Sequence, residues 1–387
     1  MSASKTAKKL GGLLLTALLL GPAMAFAEYS TLNMTKSVSN VGHEMYDLHM
    51  LVLWICTVAG ILVFGVIIWS IIFHRKSKGA KPAHFHENTT VEVIWTSIPL
   101  IILVAIAVPS TKTLLKYEDT TNSDLTIKAT GWQWKWEYDY IDDKVADAKG
   151  VHFFSSLSKA SNDARQLHSG IDVSKVDHYL LDVDKRVVVP VGKKIRILTT
   201  SNDVIHAWWV PDLAIKRDAV PGFINESWFQ AEKVGVYRGQ CAELCGKGHG
   251  FMPIVVEVKS VDDYTKWVSA EKATAVKAAA AANAASGKTY TKAELMAKGE
   301  DVYKANCAAC HQVNGTGGGP FPALKGSKVA TTGPISEHLD RIVSGKGIMP
   351  PFGSQLSALD IAAVTTYERN AWGNNTGDVV QPSQVSK

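Results

Sequence analysis

Two long apolar runs near the N-terminus restrict this chain more than any other feature, because each is long enough to cross a lipid bilayer. The first occupies residues 48–73 and contains no Asp, Glu, Lys or Arg. The second occupies residues 93–115 and contains Pro99 and Pro109, which a membrane helix tolerates when neighbouring groups satisfy the freed carbonyls. A pair of buried helices in a soluble protein is the alternative, and the length of both runs argues against it. We therefore predict a transmembrane hairpin.

The charges around these runs predict how the hairpin is oriented. The loop at residues 74–81 is basic, and basic loops stay in the cytoplasm. Residues 1–27 have the lysines, the apolar stretch and the small residues of a secretory signal, with cleavage expected after Ala25 or Ala27; an uncleaved anchor is the alternative. Both observations predict a bacterial plasma-membrane protein with two spanning helices, whose remaining N-terminal end and C-terminal domains lie on the periplasmic side.

Beyond the hairpin the pattern changes twice. Short alternating runs punctuated by Gly and Pro predict an antiparallel β-sandwich or barrel, interrupted at residues 142–177 by a polar loop or insertion. An Ala-rich stretch, helical or flexible, then precedes a helical region. The predicted divisions are a signal peptide (1–27), a membrane hairpin (28–118), a β-domain (119–265), a linker (266–290), a helical domain (291–376) and a tail (377–387).

The cysteines point to chemistry rather than to disulfide stabilisation. Five cysteines in 387 residues are too few for a disulfide framework, and four of them form two close pairs. The net charge of +5, with no Lys/Arg tract outside the N-terminus and the hairpin loop, gives no reason to expect nucleic-acid binding.

The first pair lies in a compact set of soft metal ligands. Cys241, Cys245, His249 and Met252 follow the spacing C-x₃-C-x₃-H-x₂-M. Thiolate and thioether ligands favour copper, whereas a zinc site has no need of Met. Taken singly, the residues could be an exported disulfide, a surface histidine and a core methionine. A further strong ligand must come from elsewhere, and His206, between two strand-like runs, is the best candidate although alone it would be an ordinary loop histidine.

The second pair has the C-x-x-C-H attachment pattern of covalent haem. Cys307 and Cys310 would form the thioethers, and His311 would be the proximal iron ligand. A zinc half-site would need further ligands, and only His338 follows. Met349 is the only methionine after His311, and its proline-rich surroundings would present the sulfur as the second axial ligand.

These residues, with several others, resemble a known family. The copper-ligand segment, residues 203–208 and 218–222, the membrane segment 91–96 and the aromatic run 131–136 are similar to cytochrome c oxidase subunit II, over residues 45–258. The region after residue 291 resembles class I cytochromes c, including a final helix with Tyr367 and Trp372. Together they resemble the fused subunit II of a caa-type oxidase.

The resemblance implies a cupredoxin-like sandwich that holds a binuclear copper centre, CuA. Cys241 and Cys245 would bridge the two coppers, and His206 and His249 would each bind one. Met252 and the backbone carbonyl of Glu243 would be weak ligands. The Glu243 carboxylate would bind a Mg²⁺ ion shared with subunit I.

Two further residues receive roles from the resemblance alone. Trp134 matches the aromatic residue through which electrons enter, although a packing tryptophan on a strand is the alternative. Glu92 matches the mouth of a proton-uptake path into subunit I, although at a membrane interface it could simply be solvated.

The implied function is electron entry into an oxidase. Electrons would pass from an external donor such as cytochrome c to haem c, then to CuA and to haem a in subunit I, where O₂ is reduced to water with proton translocation; subunit III is a further implied partner. The alternative is a membrane-anchored electron-transfer or copper-binding protein outside an oxidase. Residues 91–96 and 132–136 argue against it, because a simple anchor needs no such motifs. Quinol-oxidase relatives have lost the copper ligands, which are all present here.

Overall fold

The computed structural model describes residues 33–81, 86–347, 349–353 and 355–385. The predicted signal peptide and its cleavage at Ala25 or Ala27 lie outside the described residues.

The predicted hairpin is present as two long helices, α1 (Asn40–Phe73) and α2 (Thr89–Glu118), whose apolar side chains are almost all exposed. Both helices are long and apolar enough to cross a bilayer. Both helices extend beyond the apolar runs, because polar caps start them earlier. The Ser39 side chain accepts a hydrogen bond from the Gly42 amide, and Asn88 accepts one from Val91.

The segment before α1 is hydrogen-bonded into the β-domain. Ser37 Oγ donates to the Asp212 carbonyl at 2.8 Å, and Ser39 Oγ donates to the Leu213 carbonyl at 3.0 Å. The Val38 amide also donates to Asp212 at 2.8 Å. A Cβ on Gly42 would lie 2.1 Å from Ser37 Oγ, so the helix can approach only with glycine there. We call this contact the α1 junction (residues 37–42).

The β-domain (residues 125–259) is a sandwich of two five-stranded sheets. One sheet has the order β3-β2-β1-β5-β8 and the other has the order β4-β10-β9-β6-β7. The strands are β1 (Leu125–Trp132), β2 (Lys135–Asp143), β3 (His152–Ser155), β4 (Val187–Pro190), β5 (Ile195–Ser201), β6 (His206–Val210), β7 (Ile215–Ala219), β8 (Asn225–Phe229), β9 (Gly235–Cys241) and β10 (Pro253–Lys259).

The sandwich differs in one respect from the expectation of antiparallel strands. Most neighbours are antiparallel, but β1 pairs with β5, and β10 with β4, in parallel. Alternating apolar residues identify a strand's buried face and carry no information on the direction of its neighbour, so the sequence could not distinguish the two. The polar segment 142–177 contributes β3, the short helix α3 (Lys159–Ala164) and a 3₁₀ turn at Val173–Lys175.

The Ala-rich stretch is a continuous helix, α4 (Val261–Ser286). Its first turns belong to the β-domain core, where Tyr264 and Val268 are buried and Tyr264 donates a hydrogen bond to Asp143 at 2.9 Å. A helix of 26 residues extends for about 39 Å and acts as a spacer rather than a flexible link.

The C-terminal domain (residues 290–385) is helical, with its own core. Its helices are α5 (Lys292–Asn306), α6 (Ala308–His311), α7 (Ile335–Ser344) and α8 (Ala358–Asn370). Complete capping boxes start α5 and α8. The two helices cross closely at Gly299, where a Cβ would lie 2.2 Å from the Ala363 carbonyl oxygen. Tyr303, Leu339 and Ile361 are buried around that crossing.

Candidate functional site

The segment from Cys241 to Met252, which we call the ligand loop, connects two neighbouring strands. Cys241 is the last residue of β9, and Met252 directly precedes β10. His206 begins β6, which pairs with β9 so that Trp208 lies opposite Cys241. Strand pairing thereby brings a histidine distant in sequence to the base of the loop.

The predicted copper ligands converge on one point. Cys241 Sγ lies 3.8 Å from Cys245 Sγ and 3.8 Å from His206 Nδ1. Cys245 Sγ lies 3.6 Å from His249 Nδ1 and 3.6 Å from Met252 Sδ. The Glu243 backbone carbonyl lies 3.3 Å from Cys241 Sγ, while the Glu243 side chain is half-buried.

The two sulfurs are free thiols, not a disulfide. Their separation of 3.8 Å is far longer than an S–S bond of about 2.05 Å. Hydrogen bonding from Cys245, and then from His206, lowers the pKa of the Cys241 thiol, and the same contact raises the pKa of Cys245. Two buried sulfurs in contact, with two imidazoles and a thioether around them, form a donor set that fits soft metal ions such as copper.

The backbone and one carboxylate hold His206 in place. Burial disfavours its charged form, but hydrogen bonds to Asp203 and Cys241 outweigh burial and raise its pKa. His206 Nε2 lies 2.9 Å from Asp203 Oδ1, which leaves Nδ1 for a metal. A Cβ at position 131 would lie 2.6 Å from His206 Cδ2, so Gly131 provides the space for the imidazole ring.

Trp134 packs directly against the ligand loop. Its Nε1 donates a hydrogen bond to the Cys245 carbonyl at 3.0 Å, and Gln133 Nε2 donates to the same oxygen at 2.9 Å. The indole covers Gly248, where a Cβ would lie 2.2 Å from Trp134 Cδ2. One hydrogen bond therefore separates the tryptophan from the backbone of a predicted bridging ligand.

The C-x-x-C-H segment and Met349 border one cavity. His311 is buried at the end of α6, and its Nδ1 lies 2.8 Å from the Pro322 carbonyl oxygen, which leaves Nε2 available. The cavity, of about 320 Å³, is lined by Cys307, Cys310, His311, Met349 and mostly apolar neighbours. We call it the haem cavity, because two free thiols, an imidazole and a thioether around one mostly apolar space fit covalent haem.

A buried pair that the sequence did not predict borders the same cavity. His338 Nε2 lies 2.8 Å from Glu368 Oε2, and both side chains are almost fully buried. His338 Nδ1 is buried without a hydrogen-bond partner among the described residues.

Glu92 lies far from both centres. It is exposed in the first turn of α2, where its Oε1 accepts a hydrogen bond from the Asn88 amide at 3.4 Å. The other end of α2 meets the β-domain through Glu118, which lies 3.4 Å from Arg217. At 1.5 Å per residue, Glu92 is separated from that end by roughly 40 Å.

Sequence reasoning assigned no role to Asp203, Gln133 or Gly131. Asp203 could have been found from the sequence, because it is an acidic residue three positions before His206, the predicted metal ligand. Gln133 and Gly131 act through contacts with distant segments and had no local indication.

Comparison with known families matches three regions of the chain. Residues 125–259 match the description "Cytochrome C oxidase subunit II, periplasmic domain", and residues 27–113 match its transmembrane domain. Residues 294–367 match "Cytochrome C oxidase, cbb3-type, subunit III".

Individual relatives agree with these matches. A probable cytochrome c oxidase subunit 2 from Rickettsia bellii is 40% identical over 233 residues, which are 60% of this chain and 81% of the relative. Subunit 2 from Cereibacter sphaeroides is 35% identical over 60% of this chain and 77% of its own length. The crystal structure of a periplasmic subunit II domain from Bradyrhizobium japonicum covers 40% of this chain and 98% of that domain, with 41% identity and a TM-score of 0.33.

Proposed function

The chain belongs to the cytochrome c oxidase subunit II family, and we propose that its ligand loop, Trp134 and haem cavity form the electron-entry path of a haem–copper oxidase. The observation that carries the proposal is the convergence of His206, Cys241 and Cys245 with Trp134 bonded to the Cys245 carbonyl. When bound, haem c and CuA would each take up and release one electron, from the donor toward haem a of subunit I.

The β-domain's part in this function is to hold the copper ligands still. His206 and Cys241 belong to paired strands, and Met252 is fixed by the start of β10. Asp203 and Gly131 orient the imidazole. Ligands held in this way change position little between redox states, which favours fast electron exchange.

The C-terminal domain's part is to present a haem iron with two defined axial ligands. The Pro322 carbonyl orients His311, and hydrogen bonds between Lys346 and Met349, at 3.0 and 3.1 Å, fold the turn that carries the thioether. Trp134 lines the haem cavity, so the indole and its bond to the Cys245 carbonyl provide a connection to the ligand loop.

The membrane hairpin anchors the chain with its C-terminal domains on the periplasmic side. We further propose that the half-buried Glu243 carboxylate binds a Mg²⁺ ion together with subunit I. Glu92 would lie at the mouth of a proton path into subunit I. The protein partners would be subunits I and III and a cytochrome c donor.

Truncation after Gly287 tests the path. The β-domain core and the C-terminal core are separate clusters, so the truncated β-domain should fold and bind copper. Oxygen uptake with a small artificial donor should persist. Uptake with the protein donor should fall sharply, because a tethered relay at roughly millimolar effective concentration is lost.

If oxygen uptake with the protein donor has the same rate before and after truncation, haem c is not on the main electron path. Loss of copper binding on truncation would contradict the assignment of all copper ligands to the β-domain.

A further inference from the structure

The haem cavity is closed on one side by the β-domain. Gln133 and Trp134 line it together with Cys307, Cys310 and His311 of the C-terminal domain. The same Trp134 is bonded on its other side to the ligand loop. The indole therefore forms a wall between the two predicted centres and is covered by the C-terminal domain.

Two lysines of the β-domain flank this tryptophan and reach the C-terminal domain. Lys135 Nζ lies 4.7 Å from the ring centre of Phe154 in its own domain and 5.5 Å from that of Phe352 across the interface. Lys247 Nζ lies 5.0 Å from the ring centre of Phe321. Both of these cross-interface phenylalanines line the haem cavity.

Both lysines lie over aromatic rings, and neither takes part in an ion pair within 4.0 Å among the described residues. The carboxylates of Asp184 and Glu137 act on Lys135 only from a longer distance. Burial lowers the pKa of Lys135 to about 8, so the ammonium is largely removed from water and still mostly charged at neutral pH. Desolvation strengthens the cation–π contacts of Lys135 and protects its charge from screening by salt, whereas Lys247 is exposed.

The interface contains a gap beside the two lysines. A cavity of about 570 Å³ lies there between the insertion, the ligand loop and the end of α5. The two lysine–phenylalanine contacts bridge the domains next to this gap, while α4 keeps the C-terminal domain nearby.

We propose that Lys135 and Lys247 form a clamp that grips Phe352 and Phe321, holds the haem cavity against Trp134 and excludes soluble donors from that tryptophan. This proposal rests on the electron path described above. In the clamped state an external donor delivers its electron to the C-terminal domain. Direct access to the ligand loop requires the clamp to open.

The test uses the full chain in its oxidase complex, with both centres loaded. The variant Lys135→Met/Lys247→Met removes both charges and keeps the aliphatic stems. Lys149→Met, at an exposed lysine of the same domain, is the matched control. Lys135→Arg/Lys247→Arg is the rescue variant, because guanidinium groups also bind aromatic faces. Optical spectra verify that copper and haem remain bound.

The first measurement is the magnetic relaxation of the copper centre by ferric haem c, which reports how much of the C-terminal domain is docked. The double Met variant should lower the ratio of docked to undocked molecules by roughly tenfold, as expected from one partly buried and one exposed cation–π contact. The control and the Arg variant should retain the wild-type ratio. An unchanged ratio in the double Met variant would overturn the clamp.

The second measurement is electron transfer after photoreduction of haem c, at low and high salt. In the wild type the rate should be nearly independent of salt. In the double Met variant it should be slower, and a soluble protein donor should reduce copper directly and faster than in the wild type. Absence of haem-to-copper transfer in the wild type would contradict the proposed function, whereas wild-type transfer with no difference in the double Met variant would contradict only the clamp.

Discussion

The ligand loop and the haem cavity bind redox groups by different structural means. Five of the predicted copper donors come from one loop, and the sixth comes from a paired strand, so that neighbouring donor atoms lie within 3.8 Å of one another. The haem ligands His311 and Met349 belong to separate segments, and the haem cavity between them is closed partly by Trp134 of another domain.

The difference shows where each site obtains its precision. The β-sandwich arranges the copper donors through strand pairing and a short hydrogen-bonded shell. The C-terminal domain provides a shaped space, in which covalent attachment and burial must position the haem. Loss of a ligand in the ligand loop should therefore affect copper binding alone, and loss of a ligand in the haem cavity should affect the haem alone.

Removal of a copper donor should have the largest effect. Cys245→Ser or His206→Ala should abolish the mixed-valence copper signal in EPR while the haem c spectrum persists, because each removes a metal ligand. Cys56→Ser, at an exposed cysteine of α1, is the control and should leave the signal intact. A normal copper signal in either ligand variant would contradict the assignment.

Removal of the predicted haem thioether should change one axial bond. Met349→Ala should leave haem covalently attached, eliminate the Met–iron absorption band and lower the reduction potential, because Met ligation raises it. Met296→Ala on α5 is the control. Retention of the band and the potential in Met349→Ala would show that another residue is the ligand.

Disruption of the buried pair beside the haem cavity should destabilise the C-terminal domain. His338→Ala should lower the free energy of unfolding by about 1–3 kcal/mol, because the buried Glu368 carboxyl loses its hydrogen bond to the imidazole. Denaturant unfolding followed by the haem absorption measures the change. His152→Ala removes the partly exposed partner of Glu137 and should have little effect. Equal midpoints in both variants would contradict this role of the pair.

Weakening the support of a copper ligand should have a smaller effect. Asp203→Asn removes the charge that orients His206 and should reduce copper affinity by roughly 10–100-fold with the signal still present. Competition with a copper chelator measures the affinity, and haem incorporation should not change. Wild-type affinity would show that the backbone alone orients the imidazole.

A change outside both regions should affect neither. Glu92→Ala should slow turnover modestly, while the reduction of copper and haem c keeps its wild-type rate, because the residue lies at the opposite end of α2. Glu118→Ala, at the near end of that helix, is the matched control. If an assembled Glu92→Ala complex takes up oxygen at the wild-type rate, Glu92 has no role in proton uptake and only caps α2.

The binding motifs of both regions could be predicted from the chain alone. The ligands of the loop are close together in sequence, and their soft donor atoms predicted a copper site. His206 was then added as the ligand from a distant segment. The C-x-x-C-H pattern identified haem in the same way. The two membrane helices could also be predicted from the sequence, because the length and hydropathy of a helix are properties of one continuous segment.

What escaped prediction depends on contacts between distant segments. The parallel pairing of β1 with β5 joins strands separated by more than fifty residues, and nothing in either strand specifies its direction. The pairing of His338 with Glu368 and the lysine–phenylalanine contacts likewise arise only when separate helices and domains meet.

The α1 junction has a mechanical consequence. Residues 37–39 are hydrogen-bonded to the turn at Asp212 and Leu213, just before β7. With Gly42 packed against Ser37, the membrane helix enters the β-domain without a hinge. If the hairpin tilts in the bilayer, the β-sandwich should therefore tilt with it as a rigid body. The membrane thus sets the height and inclination of the ligand loop, and an acceptor embedded in the same bilayer would meet it at a constant distance.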